Sequence, residues 1–349
     1  MAVFTSVNRQ DLQNWLNQHF YTTPHDQAGN LSPSLLTEVV QLEPIAAGVE
    51  NTNYFLDIKL FDLKGSQQIT LEHKVFTIFE RMQHDQIDFC LRFMHFLAQK
   101  GLSVPNPKKT QTQQFSAPWL CNSDPLIRKP AAVVNRLAGA SCDHPSLDQC
   151  QKLGVFLAQL HLAGREFKPQ RPNLRDFNWV AKTASSVRPY LSTASSDLLQ
   201  NALKDQADFQ QSALYARLDR GAVHCDLFRD NVLFDEQNIP SVIDFYFSAT
   251  ESLVFDLCIV INDWAWDASQ KQIDKKRADA LLNAYQTVRS LTLDEKQAMP
   301  HGLRAAALRF WLSRLMDWFE PRNSSHGTPK DPKHFEAILN VHVSNRWQL

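Results

Sequence analysis

The chain carries almost no excess charge: 36 lysines and arginines stand against 37 aspartates and glutamates, a formal net charge of -1 over 349 residues. A surface built for nucleic acid or for an anionic membrane shows a basic excess, so neither is expected as a partner. There is no CxxC pair among the six cysteines, Cys90, Cys121, Cys142, Cys150, Cys225 and Cys258, and several lie inside apolar helical patterns such as FCLRFMHFL and FDLCIVI. That spacing argues against a metal or disulfide framework and for reduced, packed thiols. No run approaches the roughly 18 apolar residues that a membrane helix needs. The N-terminal stretch MAVFTSVNRQDLQNWLNQHF is polar and amphipathic, without a signal core. Internal repeats and low-complexity tracts are lacking too, and the cytoplasm is the expected address.

What the chain does contain is a change of pattern along its length. Leu12, Trp15, Leu16 and Phe20 recur at helical spacing, and the turn-rich TTPHDQAGNLSPS follows as a loop or insertion. From about 37 to 81 the pattern is that of strands, in VVQLEPIAAGVENTNYFLDIKLF and QITLEHKVFTIFE. A helix over about 85–100 closes on Gly101, and strand-like pieces lead to AAVVNRLAG. Beyond about 145 the chain reads as mainly helical, starting with SLDQCQKLGVFLAQLHLAG behind a Ser146 N-cap; β character returns only in VLFD and SVIDFYF. The expectation is an α+β fold of two lobes, residues 1–136 and 137–349, with the seam at RLAGASCDHPS and a ligand site in the cleft.

The chemistry concentrates in HCDLFRDNVLFD, residues 224–235. Asp226 is followed five positions later by Asn231 and eighteen positions later by Asp244, which closes the apolar SVID. Aspartate and asparagine are ordinary β-turn residues, and an HxD alone fits a capped turn. The ordered set H-x-D-x-x-x-x-N, a strand pair and then I-D-F fits phosphoryl transfer, which asks a protein for placement and charge neutralisation. Asn231 and Asp244 offer the oxygens that Mg²⁺ prefers, leaving Asp226 to orient the proton of an attacking hydroxyl. His224 and His161 fit structural hydrogen bonding, and Cys225 fits packing.

HCDLFRDNVLF with VIDFY resembles the catalytic and metal-binding motifs of the aminoglycoside/choline kinase-like phosphotransferases, relatives of protein kinases. IAAGVENTNYFL at 45–56, LGVFLAQLHLA at 153–163, DLCIVINDWAWD at 256–267 and LRFWLSRL at 308–315 are similar to the homoserine kinase branch of that family. The likeness spans nearly the whole chain except the 22–34 region. It implies a protein-kinase-like fold, ATP and Mg²⁺ as cofactors, and phosphorylation of the L-homoserine hydroxyl in threonine biosynthesis. Another small alcohol (choline, methylthioribose, an aminoglycoside) or a nucleotide-binding scaffold is the alternative. It further implies Asp226 as catalytic base, Asn231 and Asp244 as Mg²⁺ ligands, and nucleotide contacts from Gly48, Asn51, Thr52, Asn53, Asn135 and Leu137. Gly48 permits close backbone approach, and Asn51, Thr52 and Asn53 offer donors, although G-x-x-N-x-N also fits a plain hairpin turn. Relatives place a basic residue on the following strand, where this chain has Thr77, flanked by Lys74 and Arg81.

An amino-acid acceptor needs a cation for its carboxylate and an acceptor for its ammonium. Arg309 and Arg314 are the carboxylate candidates, with structural pairing to Asp317 or Asp263 as the competing account; about 140° apart on one helix, they are not expected to reach one ligand together. Asp256, Asn262, Asp263 and Trp264 are candidates for the ammonium side, with a buried polar network as the competing account. Arg229 fits a substrate or phosphate contact as well as a surface charge. The partner expected is a small molecule, with the chain as monomer or homodimer.

Overall fold

The structure, a computed structural model, describes residues 5–21, 35–45, 50–62, 70–121, 124–319 and 330–344. Gly48 and the region 22–34 lie outside these residues. The chain divides into two compact units: the described residues up to His95 and from Pro105 to Leu137 form the first, and Phe96–Val104 with those from Ala138 onward form the second.

The first unit is a helix packed on a sheet. Asn8 caps helix α1 (Arg9–Leu16) by accepting the Asp11 amide at 2.8 Å, and a π-helical turn, Asn17–Tyr21, extends it. The sheet is antiparallel, with strands β1 (Leu35–Pro44), β2 (Thr52–Asp62), β3 (Thr70–Ile78), β4 (Ala117–Cys121) and β5 (Asp124–Asn135) in the order β1-β2-β3-β5-β4. Between β3 and β4 runs helix α2 (His84–Gln99), ended by Gly101 at φ +86°, which a side chain would strain. Alternation decides which face is buried. Tyr54, Leu56, Ile58 and Leu60 all point into a core shared with Phe76, Ile78, Trp119, Ala131 and Val133. Trp15 of α1 seals it, lying edge-on to Phe76 and Trp119 at 5.2 and 5.8 Å while its Nε1–H donates to the Pro118 carbonyl at 2.9 Å.

The second unit is mainly helical. Ser146 and Gln149 form a reciprocal capping box at the start of α3 (Leu147–Glu166). Then come α4 (Phe177–Val187), α5 (Thr193–Gln210), α6 (Ala213–Ala216), α7 (Leu253–Trp264), α8 (Lys275–Val288), α9 (Leu293–Phe319) and α10 (Lys333–Ser344). Helix α3 approaches α8 so closely that a Cβ at Gly154 would lie 2.3 Å from the Leu281 carbonyl oxygen. Three antiparallel pairs interrupt the helices: β6 (Arg220–Val223) with β9 (Ala249–Ser252), β7 (Val232–Phe234) with β8 (Pro240–Val242), and β10 (Trp266–Asp267) with β11 (Gln272–Ile273). The last pair lies where the sequence predicts helix. Among the described residues, no helix is long and apolar enough to cross a membrane.

Candidate active site

The polar segment 224–231 joins β6 to β7, and Asp244 follows β8, so both motifs hang from short hairpin-like pairs whose apolar residues are buried. One step beyond the Val232–Val242 pair, the Ile243 amide donates to the Asn231 carbonyl at 2.9 Å. That bond brings Asn231 and Asp244 to the same end of the β7–β8 pair. The Asn231 amide nitrogen donates to the Asp226 carbonyl at 2.8 Å, which leaves its amide oxygen directed elsewhere. Cys225 and Asp244 both hold left-handed backbone, at φ +63°. Such a conformation costs roughly 1–2 kcal/mol in a non-glycine residue, least in aspartate and asparagine. Both bends therefore need support from outside.

That support comes largely from Asp256, in the first turn of α7. Its buried carboxylate accepts the backbone amides of His224 at 3.0 Å and Cys225 at 2.8 Å. His161, buried on α3, donates to the same carboxylate at 3.3 Å and accepts the Tyr285 hydroxyl at 2.8 Å. Burial pushes the Asp256 carboxyl upward, but the bonds from His161 and the attraction of His161 and His224 outweigh it and hold the group below its ordinary range. The expectation that Asp256 faces an ammonium is corrected: it is fully buried and committed to the loop backbone. His224 has the structural role its position suggests. Its Nε2–H donates to the Ile243 carbonyl at 2.9 Å and its Nδ1 accepts the Asp226 amide at 3.2 Å. One imidazole thus ties the loop of Asp226 to the strand end of Asp244, and burial lowers its pKa.

Asp226 keeps 17% of its side chain exposed and pairs through Oδ1 with Arg309 at 3.2 Å. Burial pushes its carboxyl above the ordinary range, while Arg309 and His224 pull it down. Arg309 lies against the Phe310 ring at 3.6 Å, and burial lowers its pKa to about 10, which leaves it a cation. Arg314 faces elsewhere, over the Phe335 ring at 4.4 Å and donating to the Asp331 carbonyl at 3.3 Å, as the angular separation on the helix requires. Arg229 and Asp263, two substrate candidates, are each other's partners. The guanidinium grips the carboxylate at 3.1 and 3.3 Å, the Arg229 amide adds a bond of 2.8 Å, and its remaining arm reaches the Asp143 carbonyl. The pair clamps the end of α7 to the loop. Trp264 is corrected outright: at 0% exposure, packed on Phe234, it has no surface to offer a ligand. Asn262 belongs to the buried network considered as its alternative, donating to the Leu303 carbonyl at 2.9 Å and accepting from His342 at 2.7 Å.

In the first unit Asn53 and Thr77 are cross-strand partners, the threonine hydroxyl donating to the Asn53 amide oxygen at 2.7 Å. Lys74 stands opposite Asn135 and donates to its amide oxygen at 2.8 Å. Lys74 does not stand in for a cation at Thr77: three residues away, it shares the opposite face of β3 with Phe76 and Ile78 and lies 3.6 Å from Glu72, while Arg81 is exposed. Asn51 is nearly buried, Asn53 and Leu137 partly exposed, and Asn135 exposed. Thr52 is corrected: its fully buried hydroxyl donates to Glu80 at 2.6 Å, in a cluster with Thr5 and Lys129. Neither Lys129 nor its pairing with Glu80 is foreshadowed by any motif, because the two are joined only by the sheet.

The phosphotransferase enzyme family model matches residues 41–291. The homoserine kinase of Cupriavidus metallidurans is 38% identical over 350 residues, covering 99% of this chain and 98% of that protein. The homoserine kinase of Janthinobacterium sp. (strain Marseille) is 37% identical, covering 98% and 96%. Among solved structures, an amicoumacin kinase in complex with AMP-PNP, Ca²⁺ and Ami superposes with a TM-score of 0.67 at 14% identity, covering 96% of this chain and 94% of that one. A microcompartment-associated aminopropanol kinase gives 0.61 at 16% identity, with 96% and 97% covered. The fold is the α+β, protein-kinase-like one, and the match across most of the chain places it plainly: this chain belongs to the phosphotransferase enzyme family.

Proposed function

We propose that the chain transfers the γ-phosphoryl group of ATP to the hydroxyl of L-homoserine, giving O-phospho-L-homoserine, in the cytoplasm. The observation that carries the reading is the support given to Asp226, Asn231 and Asp244: two left-handed bends held by Asp256 and His224 bring the three together at the ends of adjoining strand pairs. Full-length likeness to homoserine kinases supplies the acceptor.

In this reading residues 137–349 are the catalytic lobe and residues 1–136 the nucleotide lobe. Asp226, its pKa raised by burial and its carboxylate paired with Arg309, takes the role of base and orients the acceptor hydroxyl. The amide oxygen of Asn231 and the carboxylate of Asp244 suit a hard, oxygen-preferring ion, and they would hold Mg²⁺. The chemistry such an ion would supply is neutralisation of charge on the phosphates of ATP. Asn53, fixed by Thr77, and Asn51 beside it would offer amides on the nucleotide side, with Asn135 and Leu137 contributing from the end of β5 onward, while Lys74 lies on the opposite face of β3 from Thr77. Arg229 and Asp263 act on each other, and hold the loop that carries the base.

The test is ADP release measured against a panel of alcohols: homoserine, serine, threonine, choline, methylthioribose and an aminoglycoside. Homoserine is expected to stimulate release well beyond the others. Stimulation by another alcohol with none by homoserine overturns the acceptor, and ADP release with no acceptor preference overturns the kinase reading.

A further inference from the structure

A carboxylate that takes a proton must present one of its two oxygens to the hydroxyl it activates, within hydrogen-bond reach. The backbone of Asp226 is fixed on both sides: its carbonyl accepts the Phe228 amide at 2.9 Å and the Asn231 side chain at 2.8 Å, and its own amide donates to His224 at 3.2 Å. None of these bonds fixes the rotation of the carboxylate about its last bond, a torsion that is intrinsically broad. That restraint comes from α9. Oδ1 accepts Nη1–H of Arg309 at 3.2 Å, while Oδ2 meets no hydrogen-bond donor among the described residues. Arg309 is the more deeply buried partner, so it grips the carboxylate from within the protein.

Arg309 is itself held in place. Its guanidinium lies over the Phe310 ring at 3.6 Å, with the Phe247 ring 5.4 Å away. Phe310 in turn meets Phe228 edge-on at 4.4 Å and stacks on Phe335 of α10 at 5.3 Å. Phe228 is two residues beyond Asp226, so one aromatic cluster seats both the loop of the base and the cation that touches it. A planar guanidinium donates only in its own plane, and with that plane set by a ring its direction is set too. A lysine ammonium at the same place would supply charge without that direction.

Resting on the reading of Asp226 as the base of a homoserine kinase, we propose that Arg309 is a positioning residue: by holding Oδ1 it turns Oδ2 to the acceptor hydroxyl and makes that oxygen the proton's destination. In the step itself the acceptor oxygen forms its bond to the γ-phosphorus and gives its proton to Oδ2. The bond from that phosphorus to the bridging oxygen breaks, and ADP leaves with the electron pair. Arg309 takes no proton and acts through Asp226 alone.

The test is a double-mutant cycle on Asp226 and Arg309, read as ADP release with homoserine. Arg309→Met keeps an apolar stem over Phe310 and removes the donor. It is expected to lower kcat by roughly 10- to 100-fold, the cost of misplacing a reacting group by up to about 1 Å, with both KM values within about threefold of the wild type. Arg309→Lys is expected to recover part of that loss. In an Asp226→Asn background the same Arg309→Met change is expected to cost less than about threefold, because no base remains to be oriented. An equal loss in both backgrounds overturns the proposal, and so does a loss confined to the KM for homoserine, which would make Arg309 a direct contact of the acceptor. A rise in melting temperature with ATP and Mg²⁺ checks that each variant is folded, and if Arg309→Met is not, Arg309→Lys completes the cycle in its place. Should another alcohol stimulate ADP release and homoserine not, the acceptor reading falls and the cycle is run with that alcohol. Near-normal turnover of Asp226→Asn overturns the base and the positioning together.

Discussion

Asp226 and Asp256 lie thirty positions apart and act on one loop, yet their surroundings give them opposite work. Asp256 accepts two backbone amides and an imidazole, and its charge is stabilised inside the protein. Asp226 has one cation and solvent, and burial raises its pKa. Removing the charge should therefore separate stability from turnover. Asp226→Asn is expected to unfold in urea near the wild-type midpoint and to bind ATP, with kcat down by about 10²–10⁴-fold, the usual worth of a general base. Asp256→Asn is expected to lose about 2–3 kcal/mol of stability, since hydrogen bonds to a buried charge are worth that much and the new NH₂ would face donors. An Asp226→Asn variant with near-normal turnover sinks the base assignment, and an unchanged urea midpoint for Asp256→Asn sinks the anchor. The first aspartate is legible in the sequence because its partners, Asn231 and Asp244, are near in the chain. The second is not, because it meets the loop only after α7 packs beneath β6 and β9. Trp264 misleads for the same reason: a tryptophan in N-D-W reads alike at a ligand and in a core, and burial alone decides.

At the scale of elements, periodicity carried most of the fold. The even-numbered side chains of β2 and the stripe Leu12, Trp15 and Leu16 declare their buried faces directly. The β10–β11 pair escapes such reading because two-residue strands leave no period to detect. Helix α10 shows what pattern cannot tell. His342 is buried there and donates to Asn262, and burial lowers its pKa to about 4 from 6.5. The folded state thus holds the neutral ring, whereas the unfolded chain protonates it below its ordinary pKa. The stability tied to this group is complete above about pH 6.5 and falls as the pH drops toward 4, by up to about 1.4 kcal/mol per pH unit. His342→Gln keeps a donor for Asn262 without the titration. Its melting temperature is expected to fall less than that of the wild type between pH 6.5 and 4.5, measured by circular dichroism. Parallel curves for the two proteins remove His342 as a source of acid sensitivity.

For the molecule as a whole, the near-zero net charge is the sum of many local pairings, among them Arg289 with Glu295 and Asp219, Arg217 with Asp294, and Arg229 with Asp263. Composition could argue against partners of one charge sign, but it could not say which charge pairs with which, as Arg309 does with Asp226. Nor could it separate an oxygen cluster suited to a cation from one that caps a turn; the Ile243–Asn231 bond brings Asn231 and Asp244 to one end of the β7–β8 pair, as the proposed Mg²⁺ site requires. Asp244 is exposed and left-handed, and asparagine tolerates that backbone nearly as well. Asp244→Asn should therefore fold normally and differ in charge alone. A ligand that binds only the folded chain stabilises it by about 2.7 kcal/mol at a hundredfold excess over Kd. For a chain of this size that corresponds to a rise of several degrees in melting temperature, at roughly 2–4 °C per kcal/mol. ATP with Mg²⁺ is expected to produce that rise in the wild type, and ATP with EDTA a much smaller one. In Asp244→Asn the ligand-free melting temperature should stay within a degree or two of the wild type while the Mg²⁺-dependent part of the rise disappears. A variant that keeps the full Mg²⁺-dependent rise would place the ion on other oxygens and leave Asp244 as a turn residue.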